Sequence, residues 1–258
     1  MTAIAETLYM TQRHTRALLR QPWFVVITLV QPIIWLFLFG QLFKSVTEIP
    51  GFAGGASYLD YLMPGVVVMT AMFSSGWSGM GTIEDIDRGL LDRFLVGPLH
   101  RSALIVGRVV HEGLSLIVQA VVIGGIGLLL GARLEGGILG FSVLVLASVL
   151  LAFAFASLSN AIALVVRQRE SVIGVNQFMV LPLTFLSAAF MPLSLAPDWI
   201  ETFARFNPVN WAVEAGREAL LADADWALIG SRLLALAAVA VVCGWMATGA
   251  FRSYQRSV

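Results

Sequence analysis

The chain has 258 residues, 58% of them hydrophobic and only 12% charged, with a mean hydropathy of +0.85. A water-facing domain of this length carries about a quarter charged residues, so the composition excludes one soluble globular domain and points to an integral membrane protein. Sixteen basic and sixteen acidic residues cancel, which removes the basic footprint of a nucleic-acid binder.

In chain order, residues 2–20 place Ile4, Leu8, Leu18 and Leu19 among Arg13, Arg16 and Arg20. This pattern reads as a helix lying on the inner membrane surface or as a basic flank that sets topology. Crossing about 30 Å of hydrocarbon takes about 20 apolar residues. Six segments qualify: 23–43, 61–83, 105–131, 137–166, 171–192 and 227–250. Each is continuously apolar rather than alternating, so the expected fold class is an all-α integral membrane protein with six transmembrane helices. The fourth segment is long enough to require tilt or an interruption. With six spans, eleven of the sixteen Lys and Arg residues fall on the side of the termini and five on the other. Both termini are therefore expected in the cytoplasm, with the chain multi-pass in the cytoplasmic (inner) membrane.

Between the second and third spans lies IEDIDRGLLDRFLVGPLHRS, residues 83–102. Ile83, Ile86, Leu90, Leu91, Phe94 and Leu95 follow a helical stripe, and Glu84, Asp85 and Asp87 sit where a helix start favours acid. The spacing predicts an amphipathic helix over 84–96, stopped by Gly97–Pro98. One reading is a docking helix for a cytoplasmic partner, with Arg88, Asp92 and Arg93 as polar contacts and Leu91, Phe94 and Leu95 seated in a groove. The other is a helix resting on lipid headgroups.

Before the sixth span, residues 198–221 predict two short outer helices. Asp198 and Glu201 fit a capping box for a helix from Trp199 to Phe206. Asn207–Pro208 then starts a second helix with Pro at its first position and Val209, Ala212, Val213, Gly216 and Leu220 on one face. These helices, marked by Trp199, Asn207, Pro208 and Trp211, read as a re-entrant or interface-lying hairpin or as a small external cap.

The sequence holds no catalytic constellation and no set of metal ligands. His14, His100 and His111 each lack a second ligand at metal spacing, and the one cysteine, Cys243, has no partner for a disulfide. A phosphate-binding loop needs a lysine after a glycine, but the only lysine, Lys44, lies in GQLFKS. No cofactor is therefore expected in this chain. Asp60, His111 and Glu112 lie near span ends, short of the mid-membrane carboxylate that a proton-coupled carrier uses. Gln31, Gln119, Asn160, Asn176 and Gln177 read first as interhelical hydrogen-bonding groups, and SSGWSGMG, residues 74–81, as a site of close helix packing. Trp35, Phe37 and Phe39 on the first span, with Met69, Phe73 and Trp77 on the second, could line an aromatic translocation path or be ordinary lipid-facing and core residues.

QPIIWLFLFG (31–40), YLMPGVVVM (61–69), DRGLLDRFLVGPLHRSALIVGR (87–108) and LPLTFLSAAFMPLSLAPDWIETFARFNPVNWAVEAGR (181–217) resemble, in order, segments of ABC-2 type permeases, most nearly those of the drug-resistance and nodulation type. The pattern departs from that family at Ala196 and at Val209–Asn210. The resemblance covers most of 1–258 and implies a single ABC-2 transmembrane domain. It also implies an N-terminal interfacial helix, a cytoplasmic coupling helix at 84–96, outer re-entrant helices and a second permease chain, identical or paralogous, within the membrane lipid. Two ATP-binding-cassette ATPase subunits carrying ATP and Mg would drive it from below. The expected function is export of a drug-like or lipid-linked amphiphile. Glycolipid or polysaccharide export, an ion-coupled carrier and a membrane scaffold or sensor are the alternatives.

Overall fold

A computed structural model describes residues 22–45, 57–90 and 101–255. Every element it contains there is helical. Helix α1 spans Pro22–Leu42, α2 Tyr58–Gly76, α3 Ser78–Asp87, α4 Arg101–Leu129, α5 Gly137–Val166 and α6 Arg169–Phe185. A 3-10 turn at Leu193–Leu195 leads to α7 (Asp198–Ala204), α8 (Pro208–Glu218) and α9 (Trp226–Gln255). Among the described residues, Val109–Leu129, Gly137–Val166 and Trp226–Arg252 are long and apolar enough to cross a membrane, and Thr28–Leu42 forms a shorter apolar helix.

The core forms around α2, whose residues from Tyr58 to Met72 are buried almost without exception. It packs against α5, α4, α1 and α8. Leu62, Met63, Val66 and Val67 of α2 meet Leu144 and Leu151 of α5 and Val209 and Val213 of α8 in one cluster. The outward faces stay apolar, as at Val241 and Trp245 of α9 and Phe178 of α6, which suits a lipid solvent.

Two expected spans are interrupted, and each break has a visible cause. The second, 61–83, is broken at Trp77, inside the serine- and glycine-rich run where intrinsic helix preference is weakest. The Ser159 hydroxyl of α5 bridges the break: it donates to the Gly76 carbonyl at 2.5 Å and accepts from the Gly79 N–H at 3.0 Å. Asn160 adds bonds to the Ser78 hydroxyl at 3.0 Å and to Thr82. A Cβ on Gly79 would lie 2.4 Å from the Ser159 carbonyl oxygen, so only glycine allows this approach of α3 to α5. The packing expected of residues 74–81 is thus present.

The fifth expected span, 171–192, stops being helical at Phe185, just after Pro182 has removed one backbone donor. The irregular stretch that follows is bonded from several sides. Asn207 donates to the carbonyls of Leu183 (2.7 Å) and Leu186 (2.8 Å), Tyr61 to Ala188 (2.8 Å) and Tyr58 to Phe190 (3.0 Å). Arg217 donates to Ala188 at 2.8 Å and to the Tyr61 carbonyl at 3.2 Å, and its guanidinium lies 3.5 Å from the centre of the Tyr61 ring. Burial pulls Arg217 below its ordinary pKa, while Tyr61 and Glu214 push it back up. By contrast, α5 runs unbroken through 30 residues, about 45 Å, so the interruption considered for that span does not occur.

Ser159→Ala leaves a buried carbonyl and N–H unpaired and is expected to cost about 1–3 kcal/mol, read as a lower unfolding temperature in detergent. Arg217→Lys should destabilise as well, because one ammonium cannot both stack on Tyr61 and donate to two separate carbonyls. A Lys variant that melts with the unmodified chain would contradict that role.

Candidate functional site

The cleft lies where α1, α2 and α4 meet. Thr28, Gln31, Pro32 and Trp35 come from α1, Val66, Met69, Thr70, Phe73 and Ser74 from α2 with Trp77 at its end, and Gln119 from α4. Helical spacing explains the alignment: Gln31 and Trp35 are one turn apart, as are Met69 and Phe73 and then Phe73 and Trp77. The cavity measures about 110 Å³. Its lining contains no Asp, Glu, Lys or Arg.

Of the six expected path residues, Trp35, Met69, Phe73 and Trp77 line this cleft. Phe37 does not: it is 57% exposed on the outer face of α1. Phe39 stacks on Trp35 with ring centres 4.6 Å apart and continues through Phe190, away from the lining. Gln31 and Gln119 enter the cleft although their first reading was interhelical hydrogen bonding. That reading holds for Asn160, whose amide donates to Ser78 and to the Ala156 carbonyl. It fails for Gln119, which is 6% exposed and whose Oε1 has no hydrogen-bond partner among the described residues. An apolar stretch holding one glutamine looks alike in either case, so sequence spacing could not separate the two.

At the far end of α3, the expected amphipathic helix 84–96 takes a different form over its described residues. Glu84, Asp85 and Asp87 belong to the last turns of α3, which ends at Asp87, and Gly89 adopts a φ of +61° that stops the helix. The acidic group therefore ends one helix and does not begin another. Arg88 closes α3 and pairs with Glu84. Asp87 accepts from Arg169, at the start of α6, at 2.7 Å. That hydrogen bond and the charge of Asp87 raise Arg169 above its ordinary pKa. Leu91, Asp92, Arg93, Phe94 and Leu95 lie outside the described residues, as does the expected interfacial helix over 2–20.

The residues of the 198–221 segment are placed by caps and by packing. Asn207 accepts from the Val209 N–H at 2.9 Å and begins α8, with Pro208 at its first position, as expected. Asp198 does not cap α7; it lies inside the first turn after Pro197. Val209, Ala212, Val213, Gly216 and Leu220 form the predicted apolar face, which packs into the bundle. Trp211 donates to the Arg205 carbonyl at 2.8 Å, whereas Trp199 is 63% exposed with Phe203 and Phe206 beside it on the surface.

The family described as ABC-2 type transporter matches residues 5–221. The chain is 27% identical over 245 residues to the daunorubicin resistance ABC transporter permease protein DrrB1 of Streptomyces coeruleorubidus, covering 93% of this chain and 84% of that one. It is 25% identical over 240 residues to a Mycobacterium tuberculosis protein named "Probable doxorubicin resistance ABC transporter permease protein DrrC", covering 93% and 86%. To the inner membrane transport permease YadH of Escherichia coli it is 26% identical over 216 residues, covering 78% of each. With a match over most of its length and helices built for a membrane, the chain belongs to the ABC-2 type transporter family.

Proposed function

We propose that this chain is the membrane permease subunit of an ATP-binding-cassette exporter that moves a hydrophobic or amphiphilic compound out across the cytoplasmic membrane. The observation that carries this reading is mechanical. Helix α2 holds Met69 and Phe73 on the cleft, Trp77 stands at its joint with α3, and α3 ends ten residues later at Asp87 and Arg88, within the strongly charged stretch 83–102. About 1.5 Å of rise per residue puts Trp77 and Asp87 roughly 15 Å apart along α3. Movement imposed at one end therefore reaches the other through packed helix.

In this scheme the chain crosses the membrane six times with both termini in the cytoplasm, in line with the distribution of Lys and Arg. Two separate ATPase subunits bind ATP and Mg, and a second permease chain, identical or paralogous, completes the path. The segment 91–96, with Leu91, Phe94 and Leu95, seats in the ATPase, and Asp92 and Arg93 flank that contact. ATPase closure pushes on α3, and the Asp87–Arg169 pair transmits the push to α6. The break at Trp77, held by Ser159, lets the cleft wall change angle without losing backbone bonds. The outer helices at 198–221 close the far side as a re-entrant cap. The relatives named for daunorubicin and doxorubicin resistance support a drug-like cargo, as do the ring-lined walls of the cleft.

Phe94→Asp is expected to leave the amount of chain in the membrane unchanged and to abolish co-purification of the ATPase. Recovery of the partner at normal yield would refute the docking role. Asp87→Arg or Arg169→Asp alone should depress ATP-driven efflux severalfold with little change in unfolding temperature, because solvent screens an exposed pair. The double exchange should restore efflux. Equal efflux in all three variants would remove the pair from the coupling route.

A further inference from the structure

The cleft deepens the exporter reading, on which this inference rests for the cargo's direction of travel. Three features of its wall restrict what it can hold. The lining has no ionisable side chain, so an ionised group buried there would lose its hydration without a counter-charge. Trp35, Phe73 and Trp77 offer ring faces and edges around a space of about 110 Å³. That space is of the order of the ~150 Å³ void that takes up benzene elsewhere, so it fits one ring and not a whole polycyclic molecule. Finally, Gln119 is buried to more than nine-tenths, and its side-chain oxygen has no partner among the described residues. A buried acceptor left unpaired is destabilising, and a donor arriving with a ligand would supply the missing bond.

We propose that this cleft seats one uncharged aromatic ring of the transported amphiphile and that Gln119 Oε1 accepts a hydrogen bond from a hydroxyl or amide N–H on that ring. The ring lies among Trp35, Phe73 and Trp77, and the rest of the molecule extends past Gln31 and Trp77, the exposed members of the rim. Selection is then for a donor on an aromatic ring, and a cargo bearing a methyl ether in place of the hydroxyl is discriminated against.

The test uses the purified full chain in nanodiscs with any ATPase that accompanies it, and tritiated 2-naphthol as the probe, with partition into empty nanodiscs subtracted. Saturable binding is expected, with 2-naphthol competing about tenfold better than 2-methoxynaphthalene, the factor of a single hydrogen bond. Gln119→Leu should erase the difference between the two competitors, and Trp35→Ala should weaken both equally. No saturable binding, no discrimination in the unmodified chain, or discrimination that survives Gln119→Leu would each overturn the proposal. Should the leucine variant not fold, Gln119→Asn draws the amide back by one methylene and should shrink the ratio; an unchanged ratio overturns the proposal equally. Binding is read without ATP, so loss of ATPase co-purification would count against the exporter reading and leave this measurement standing. Intact ATP-driven export with no naphthol binding would sink this inference alone.

Discussion

Backbone polar groups in a hydrocarbon environment must be bonded within the protein, and the rest of this structure follows from that requirement. An unbroken helix meets it locally, as α5 does from Gly137 to Val166. Wherever a helix breaks, side chains must replace the lost bonds. At Trp77 one serine hydroxyl serves both a carbonyl and an N–H. Around Phe185, Asn207, Tyr58, Tyr61 and Arg217 serve four carbonyls from Leu183 to Phe190. Buried polar residues in this chain are therefore concentrated at the breaks, where their cost of desolvation is offset by bonds that no helix can supply.

Those two breaks differ in character, and the difference bears on motion. The one at Phe185 is held by many groups from α2 and α8, including a guanidinium bonded to two carbonyls and stacked on a ring. It behaves as a lock that fixes α8 against the bundle. The one at Trp77 depends mainly on Ser159 and Asn160 of a single facing helix. Fewer bonds, all to α5, leave it the easier place for a change of angle, since a hydroxyl can follow small shifts of both its partners. The cleft sits against this weaker joint, with Trp77 itself in the wall.

Much of this was legible in the sequence because it follows from continuous apolar length and from caps. Continuous hydropathy marks α4, α5 and α9, and Asn207–Pro208 marks the start of α8 to the residue. The stripe from Ile83 to Leu95 was less reliable, because periodicity does not reveal where one helix hands over to the next; Gly89 at positive φ decides that, and a glycine in a helical pattern does not announce its dihedral. The apolar run 171–192 concealed its break for a related reason. Ser187, Ala188 and Ala189 carry no proline, glycine or charge that would mark a break, and the partners that permit a non-helical backbone there lie far away in sequence, at Tyr61 and Arg217. The aromatic path residues were half legible: helical phase aligns Met69, Phe73 and Trp77, but which side of α1 faces them is a tertiary choice that places Trp35 inward and Phe37 outward.

Asn160 and Gln119 show how one residue class serves two purposes. Both are amides on apolar helices and both are buried. Asn160 bonds Ser78, Thr82 and Ala156, so its polarity is consumed in holding the break. Gln119 belongs to the cleft lining and its buried side-chain oxygen has no partner among the described residues, so that oxygen keeps its capacity to accept. A neutral amide suits a surface that must first hold and then release: a bond to it is about half as strong as one to a charged group, enough to orient a ligand without trapping it. A carboxylate at the same depth would hold a cation more tightly but would itself need a counter-charge in the apo state. The uncharged wall of this cleft thus favours passage over retention, which is what the proposed export role requires of it.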